Sequence, residues 1–294
     1  MTSAPADPLA AVAVLPGVPA AAEQARAAVD ALLAHRVLRR SFAAVTVECS
    51  LRAAVASADL QQGREAGPDG ETRLDEVRAQ VRAGALFTAR ADAAAAADRD
   101  LAALRGALRV SAEVGALLPT WERAPLQALA RLHVVAAADV LPADVVGRPR
   151  PPGAMVADAL ELGPAPAPAE VAQRLDALAA LLVAPTRAPA LVVAAVVHAE
   201  VLALRPFAWG NVLVALAAQR MVLAGRGLDP RAVAVPEAGH LELGARAYAD
   251  ALRGYLAGTP DGVAGWVRHC ARAVEIGARE GLAVCETVAR SAGT

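Results

Sequence analysis

Residues 205 to 211 read Arg-Pro-Phe-Ala-Trp-Gly-Asn, a dense mixture of side-chain types in a chain otherwise built mostly of Ala, Leu, Val and Arg. Arg205 offers a permanent cation and a fork of N–H donors suited to phosphate or carboxylate. Gly210 and Asn211 suit a tight turn followed by a capped helix start, where backbone N–H groups can face an anion. Arg205, Gly210 and Asn211 are therefore the candidate residues for binding a nucleotide or another phosphate ligand. Two kinds of chemistry are missing. Arg205 cannot accept a proton at physiological pH, so no general base stands here. Trp209 has an N–H donor and no oxygen, so it cannot anchor a hard cation such as Mg²⁺. Simpler roles exist for each: Arg205 as a cation complementing a helix C-terminus, Pro206 as a helix stop, Phe207 as core, and Trp209 as a buried plug or a contact surface.

The other reactive types do not assemble by spacing. His198 and Glu200 are two apart and face different sides of a helix. His133 sits in an apolar run, His240 follows a turn-like VAVPEAG, and His269 and Cys270 are adjacent in one helix-like stretch. These read as packing or capping residues, and neither a nucleophile–base set nor a metal-ligand set emerges from the spacing. Cys49, Cys270 and Cys285 show no CxxC pattern. Cys270 and Cys285 are too far apart on one helix for a disulfide, which fits a reducing cytoplasm.

The elements that must position these residues follow from composition. The 294 residues are 56% hydrophobic, 20% charged and only 3% aromatic, which favours helices built from Ala, Leu, Glu, Gln and Arg over strands. The expected fold is all-α, with helices over 20–39, 43–61, 73–85, 93–117, 123–138, 168–183, 188–204, 211–225, 240–257 and 261–290. Val171, Leu175, Leu178 and Leu182 recur at the spacing of a core-facing stripe. Lys and Arg number 29 against 30 Asp and Glu, a net charge of −1, so no basic face speaks for nucleic acid. The longest apolar run carries His198 and Glu200 and suits a buried helix better than a membrane span. Two linkers, 61–71 and 147–169, are rich in Gly and Pro and interrupt the helices.

A long apolar helix, then RPFAWGN, then a second apolar helix resembles the core of the Fic (Fido) family, whose signature is HPFx(D/E)GNGRxxR between two buried helices. WERAPLQALARLH at 121–133 with VVGRPR at 145–150 is similar to the helix and turn before that family's substrate-positioning flap. ASADLQQG at 56–63 resembles the family's inhibitory-helix motif, its Ser matching Ser57 and its Glu matching Gln61. The resemblance places the catalytic His at Arg205, the metal-binding acid at Trp209, the second motif Gly at Val212 and the two phosphate-clamping Arg at Leu213 and Leu216. Pro206, Phe207, Gly210 and Asn211 keep the family's residues.

The resemblance implies a Fic-like helical bundle over 111–290 with room for a short β-hairpin flap after Arg150, and the run of helices and linkers adds an N-terminal helical region over 19–110 behind a flexible stretch over 1–18. It also implies a relation to nucleotidyltransferases that move AMP onto a hydroxyl. With Arg205, Trp209, Val212, Leu213 and Leu216 in the reactive positions, the expectation is a degenerate enzyme with no resident metal, serving as a binding or regulatory pseudoenzyme for an unidentified protein partner. Two rivals stand beside it. One is a divergent transferase or phosphate-ligand binder using the remodelled pocket, and the other is a helical scaffold or homodimer with Trp209 at the contact.

Overall fold

Two helices that are apolar on every side form the centre of the chain, because a helix without a polar face must be covered all round. They are α9 (Ala190–Leu204) and α10 (Asn211–Gly225), and every residue of α9 except Glu200 is buried. A computed structural model describes residues 7–88 and 99–291. Around the central pair lie α3 (Phe42–Gln61), α6 (Arg99–Trp121), α7 (Pro125–Ala136) and α8 (Pro168–Val183). The layer is completed by α11 (Pro236–Leu243), α12 (Ala245–Leu256) and the 32-residue α13 (Pro260–Ser291). Shorter or peripheral elements are α1 (Pro8–Ala13), α2 (Val18–Leu33), α4 (Gly70–Arg82), α5 (Ala85–Thr88) and a 3₁₀ turn at Arg36–Arg39.

The outer helices are amphipathic, as their sequences require. In α8 the buried positions are Val171, Leu175 and Leu178, with Leu182 partly buried against the core. The long α13 turns Ala264, Val267, Ala271, Val274, Ala278 and Cys285 inward and reaches α2, α3, α9, α11 and α12. Its glycines permit close approach: a Cβ on Gly277 would lie 2.4 Å from the Val235 carbonyl. Gly239 of α11 meets α13 as closely, a Cβ there falling 2.0 Å from the Ala273 carbonyl oxygen.

The expected helices over 168–183 and 211–225 coincide with the observed ones. The expected 240–257 helix is two, because Gly244 turns the chain at φ +98°. The Glu65 carboxylate then accepts from the backbone N–H of Ala245 at 2.9 Å and Arg246 at 3.1 Å, capping α12 from a linker 180 residues away. The expected helix at 20–39 ends at Leu33 and finishes as the 3₁₀ turn. Residues 93–97, an alanine run read as helix, lie outside the described residues. A line at residue 110 falls inside α6, and one core cluster draws on residues from Leu9 to Cys285.

One expectation is corrected. No β-hairpin follows Arg150: among the described residues there is no strand, and 150–166 runs as an irregular strap. Its prolines interrupt any ladder of N–H donors, so its polar backbone is satisfied piecemeal by side chains and by the loop it covers. No helix among the described residues is long and apolar enough to cross a membrane.

Candidate functional site

The loop from Arg205 to Gly210 joins the two central helices and is almost wholly buried. α9 ends at Arg205 with the residue in the left-handed region, φ +42° and ψ +61°, where a helix C-terminus usually places Gly. A side chain there costs on the order of 1 kcal/mol, offset by what the guanidinium does. Arg205 Nη1 donates to the Gly163 carbonyl at 2.7 Å and Nη2 to the Pro164 carbonyl at 3.0 Å. The Asp158 carboxylate stands 3.1 Å from Nη1. Burial lowers the Arg205 pKa from its usual value, Asp158 opposing the shift and Arg150 adding to it.

The strap is tied to the loop from both sides. The Arg150 backbone N–H donates to the Pro206 carbonyl at 2.8 Å and its Nε to the Arg205 carbonyl at 2.9 Å, while a further N–H meets the Pro166 carbonyl. The Ala157 N–H donates to the Ala208 carbonyl at 3.1 Å. Asp158 folds the strap on itself by accepting from Leu162 N and Gly163 N, each at 3.1 Å. On the far side Arg253 donates to the Leu160 carbonyl at 3.1 Å.

Inside the loop, Asn211 closes a ring with Phe207. Its Oδ1 accepts from Phe207 N at 3.0 Å and its Nδ2 donates to the Phe207 carbonyl at 2.8 Å. Both polar ends of Asn211 are thereby engaged. The Phe207 ring stacks on His133 of α7 at 3.9 Å and 9°. Burial pushes the His133 imidazole down to about 4, the Trp209 backbone opposing, and its Nδ1 accepts from Gly147 N at 2.8 Å. Gly210 opens α10 at φ +79°.

Arg205, Gly210 and Asn211 are thus brought together, and the concavity beside them is nearly filled. A cavity of about 10 Å³ remains between Gln61, Asp158, Leu160, Leu202, Arg205 and Val212, room for about one water molecule. The positions matched to the reactive residues are packed away: Trp209 is 9% exposed, Val212 5%, Leu213 1% and Leu216 1%. Gln61 is buried with its Oε1 unpartnered, whereas Ser57 lines a different small cavity with Arg220 and Glu237. Arg205 and Trp209 present neither an oxygen ligand nor a base, so this donor set does not fit a magnesium ion.

Spacing did not reveal a second cluster. His198 of α9, His240 of α11 and Cys270 of α13 are fully buried, with ligand atoms within 4.8 Å of one another. Tyr248 and Trp266 surround His198, and Trp266 Nε1 donates to the Ala195 carbonyl at 2.7 Å, docking α13 on α9. These residues come from separate helices across more than seventy positions, and only their shared apolar surroundings hint at it in sequence. Glu200, beside His198 in sequence, pairs with Arg174 at 2.9 Å and Tyr255 at 2.8 Å on another face.

The arrangement defines a Fic/Fido fold. The chain aligns with a Fic family protein from Desulfovibrio desulfuricans G20 at TM-score 0.64 and 16% identity, covering 90% of this chain and 74% of that one. It aligns with residues 134–508 of Fic-1 from C. elegans at TM-score 0.65 and 16% identity, over 93% and 75% of the two chains. No family model matches the sequence, and no curated protein matches it.

Proposed function

We propose that this Fic-fold chain does not transfer AMP and acts as a binding or regulatory protein. The observation that carries the reading is the occupation of the pocket by the chain's own strap. The guanidinium at the position matched to the catalytic His spends its donors on Gly163, Pro164 and Asp158. Proton abstraction needs a neutral or anionic acceptor, and the transferring phosphoryl group needs cations and open donors. Losing the base alone costs about 10²- to 10⁴-fold, before the phosphate clamps are counted.

The same contacts argue against an anionic ligand at Arg205. Such a ligand would have to displace two carbonyls and a carboxylate, then find volume where about 10 Å³ is free. Trp209 packs within the core, which weighs against its being a dimer contact. A groove of about 900 Å³ opens elsewhere between α3, α4 and α13, lined by Val47, Arg52, Glu71, Arg78, Val284 and Val288, and gives a binding role a surface. Three free, buried cysteines fit a reducing cytoplasm as its compartment.

The test is incubation of the purified chain with radiolabelled ATP and magnesium, alone and with a cell lysate. The expected result is no label on the chain or on any lysate protein that depends on it. Label transfer abolished by Arg205→Ala would overturn the reading.

A further inference from the structure

We propose that His198, His240 and Cys270 form a metal site for a soft transition-metal ion, best matched by copper(I). The three side chains converge from α9, α11 and α13, wholly enclosed, with ligand atoms no more than 4.8 Å apart. In a three-coordinate site with bonds of about 2.0 to 2.3 Å, ligand atoms stand about 3.7 Å apart, so modest side-chain adjustment closes the set around an ion.

The hydrogen bonds around the cluster leave one ligand atom open, His198 Nδ1, while His240 would exchange one of its two hydrogen bonds for the ion. His198 Nε2 meets the Tyr248 hydroxyl at 2.6 Å, while its Nδ1, fully enclosed, makes no well-formed hydrogen bond, the Gln219 amide being the polar side chain that acts on the ring. An unpaired buried polar atom costs on the order of 1 to 3 kcal/mol, so its retention asks for a partner. His240 contacts Gln219 Oε1 at 3.2 Å through Nε2 and His269 Nε2 at 3.1 Å through Nδ1. Whichever nitrogen of His240 binds the ion, the other keeps a partner that orients the ring, as outer-shell groups do in metal sites. Gln219 Nε2 is a second enclosed atom without a partner beside the set.

Charge and softness choose the ion. Binding releases the Cys270 thiol proton to solvent, and the resulting thiolate with two neutral imidazoles around a monovalent ion sums to zero, which an apolar interior tolerates. A divalent ion with the same ligands leaves one uncompensated positive charge, and no carboxylate belongs to the cluster. One thiolate with two imidazoles is also a ligand set that copper favours. Backbone contact between α11 and α13, at Gly239 against Ala273 and Gly277 against Val235, holds the His240 segment to the helix that carries Cys270.

The test refolds the full chain anaerobically from denaturant with excess copper(I) or zinc(II), removes loose metal and counts what remains. Wild type is expected to keep one copper(I) per chain, and X-ray absorption at the copper edge is expected to show one sulfur and two nitrogen neighbours. Cys270→Ser should lose the sulfur signal and weaken retention by about tenfold or more, while Cys285→Ser changes neither. The absorption spectrum of the wild type carries the test if the Cys270 variant fails to fold. The proposal is overturned if wild type keeps no copper(I), as it would if His198 Nδ1 and Gln219 Nε2 simply paired with each other. It is equally overturned if Cys270→Ser retains copper undiminished, or if zinc is kept and copper is not.

Discussion

The Asp158 carboxylate and the Arg205 guanidinium stand 3.1 Å apart beneath the strap, and that pair locks residues 157–164 over the loop between α9 and α10. Arg205→Ala would strand two carbonyls and a carboxylate. The expected loss is about 2 to 4 kcal/mol of stability, since breaking a buried pair leaves its partner uncompensated. Hydrogen exchange at Ala157, Leu162 and Gly163 should accelerate more than at α13. Unchanged exchange in the strap would refute the locking role.

Asn211 satisfies both the N–H and the carbonyl of Phe207 inside the core. Asn211→Ala is expected to destabilise by about 2 to 4 kcal/mol, because two buried backbone groups lose their partners. Urea denaturation measures it. Asn211→Asp keeps only the acceptor and should fall between the two.

Acid should unfold the chain through its buried histidines. Burial holds the His133 pKa at about 4 in the folded state, against 6.5 when it is free. The unfolded chain therefore binds the proton first, so this contribution to stability is intact above pH 6.5 and is lost as pH falls towards 4. The full loss is about 3 kcal/mol. His133→Gln, which keeps an acceptor for Gly147 N, should flatten the melting temperature's dependence on pH across that window.

Installing the Arg that the motif resemblance expects at 216 should be costly. Leu216 is 1% exposed, so Leu216→Arg buries an unpaired charge and should destabilise by about 3 to 5 kcal/mol. Adding Gln61→Glu should return part of that, since α3 packs on α10 and Gln61 lines a cavity with Asn211 and Val212. A double-mutant cycle reads the coupling, and a value near zero would separate the two positions.

Gly239→Ala places a methyl 2.0 Å from the Ala273 carbonyl oxygen, backbone that cannot swing aside. Separation of α11 from α13 should cost about 1 to 3 kcal/mol or more. A thermal melt suffices to check it, and Gly153→Ala, where no atom lies within 4 Å, should show that φ +76° alone costs less.

How much of this could be read beforehand varies with the kind of interaction. The all-α class, the helices over 168–183 and 211–225, and the RPFAWGN loop as the join of two buried helices were legible, because helix propensity, apolar periodicity and the Pro-Gly breaks act within a few residues. The split at Gly244 was not, since its cap comes from Glu65 on a distant linker. The strap resisted reading for a related reason: with no periodicity, its course is set by Arg150, Asp158 and Arg205, whose contacts are tertiary.

From the sequence alone came the helical architecture and the absence of a base or an oxygen ligand at the motif, because local propensity and side-chain chemistry travel with each residue. Tertiary structure alone decided that Arg205 meets Gly163, Pro164 and Asp158 of its own chain, and that His198, His240 and Cys270 come together. Both outcomes depend on which helices share the core, and that depends on packing across the whole chain rather than on neighbours in sequence.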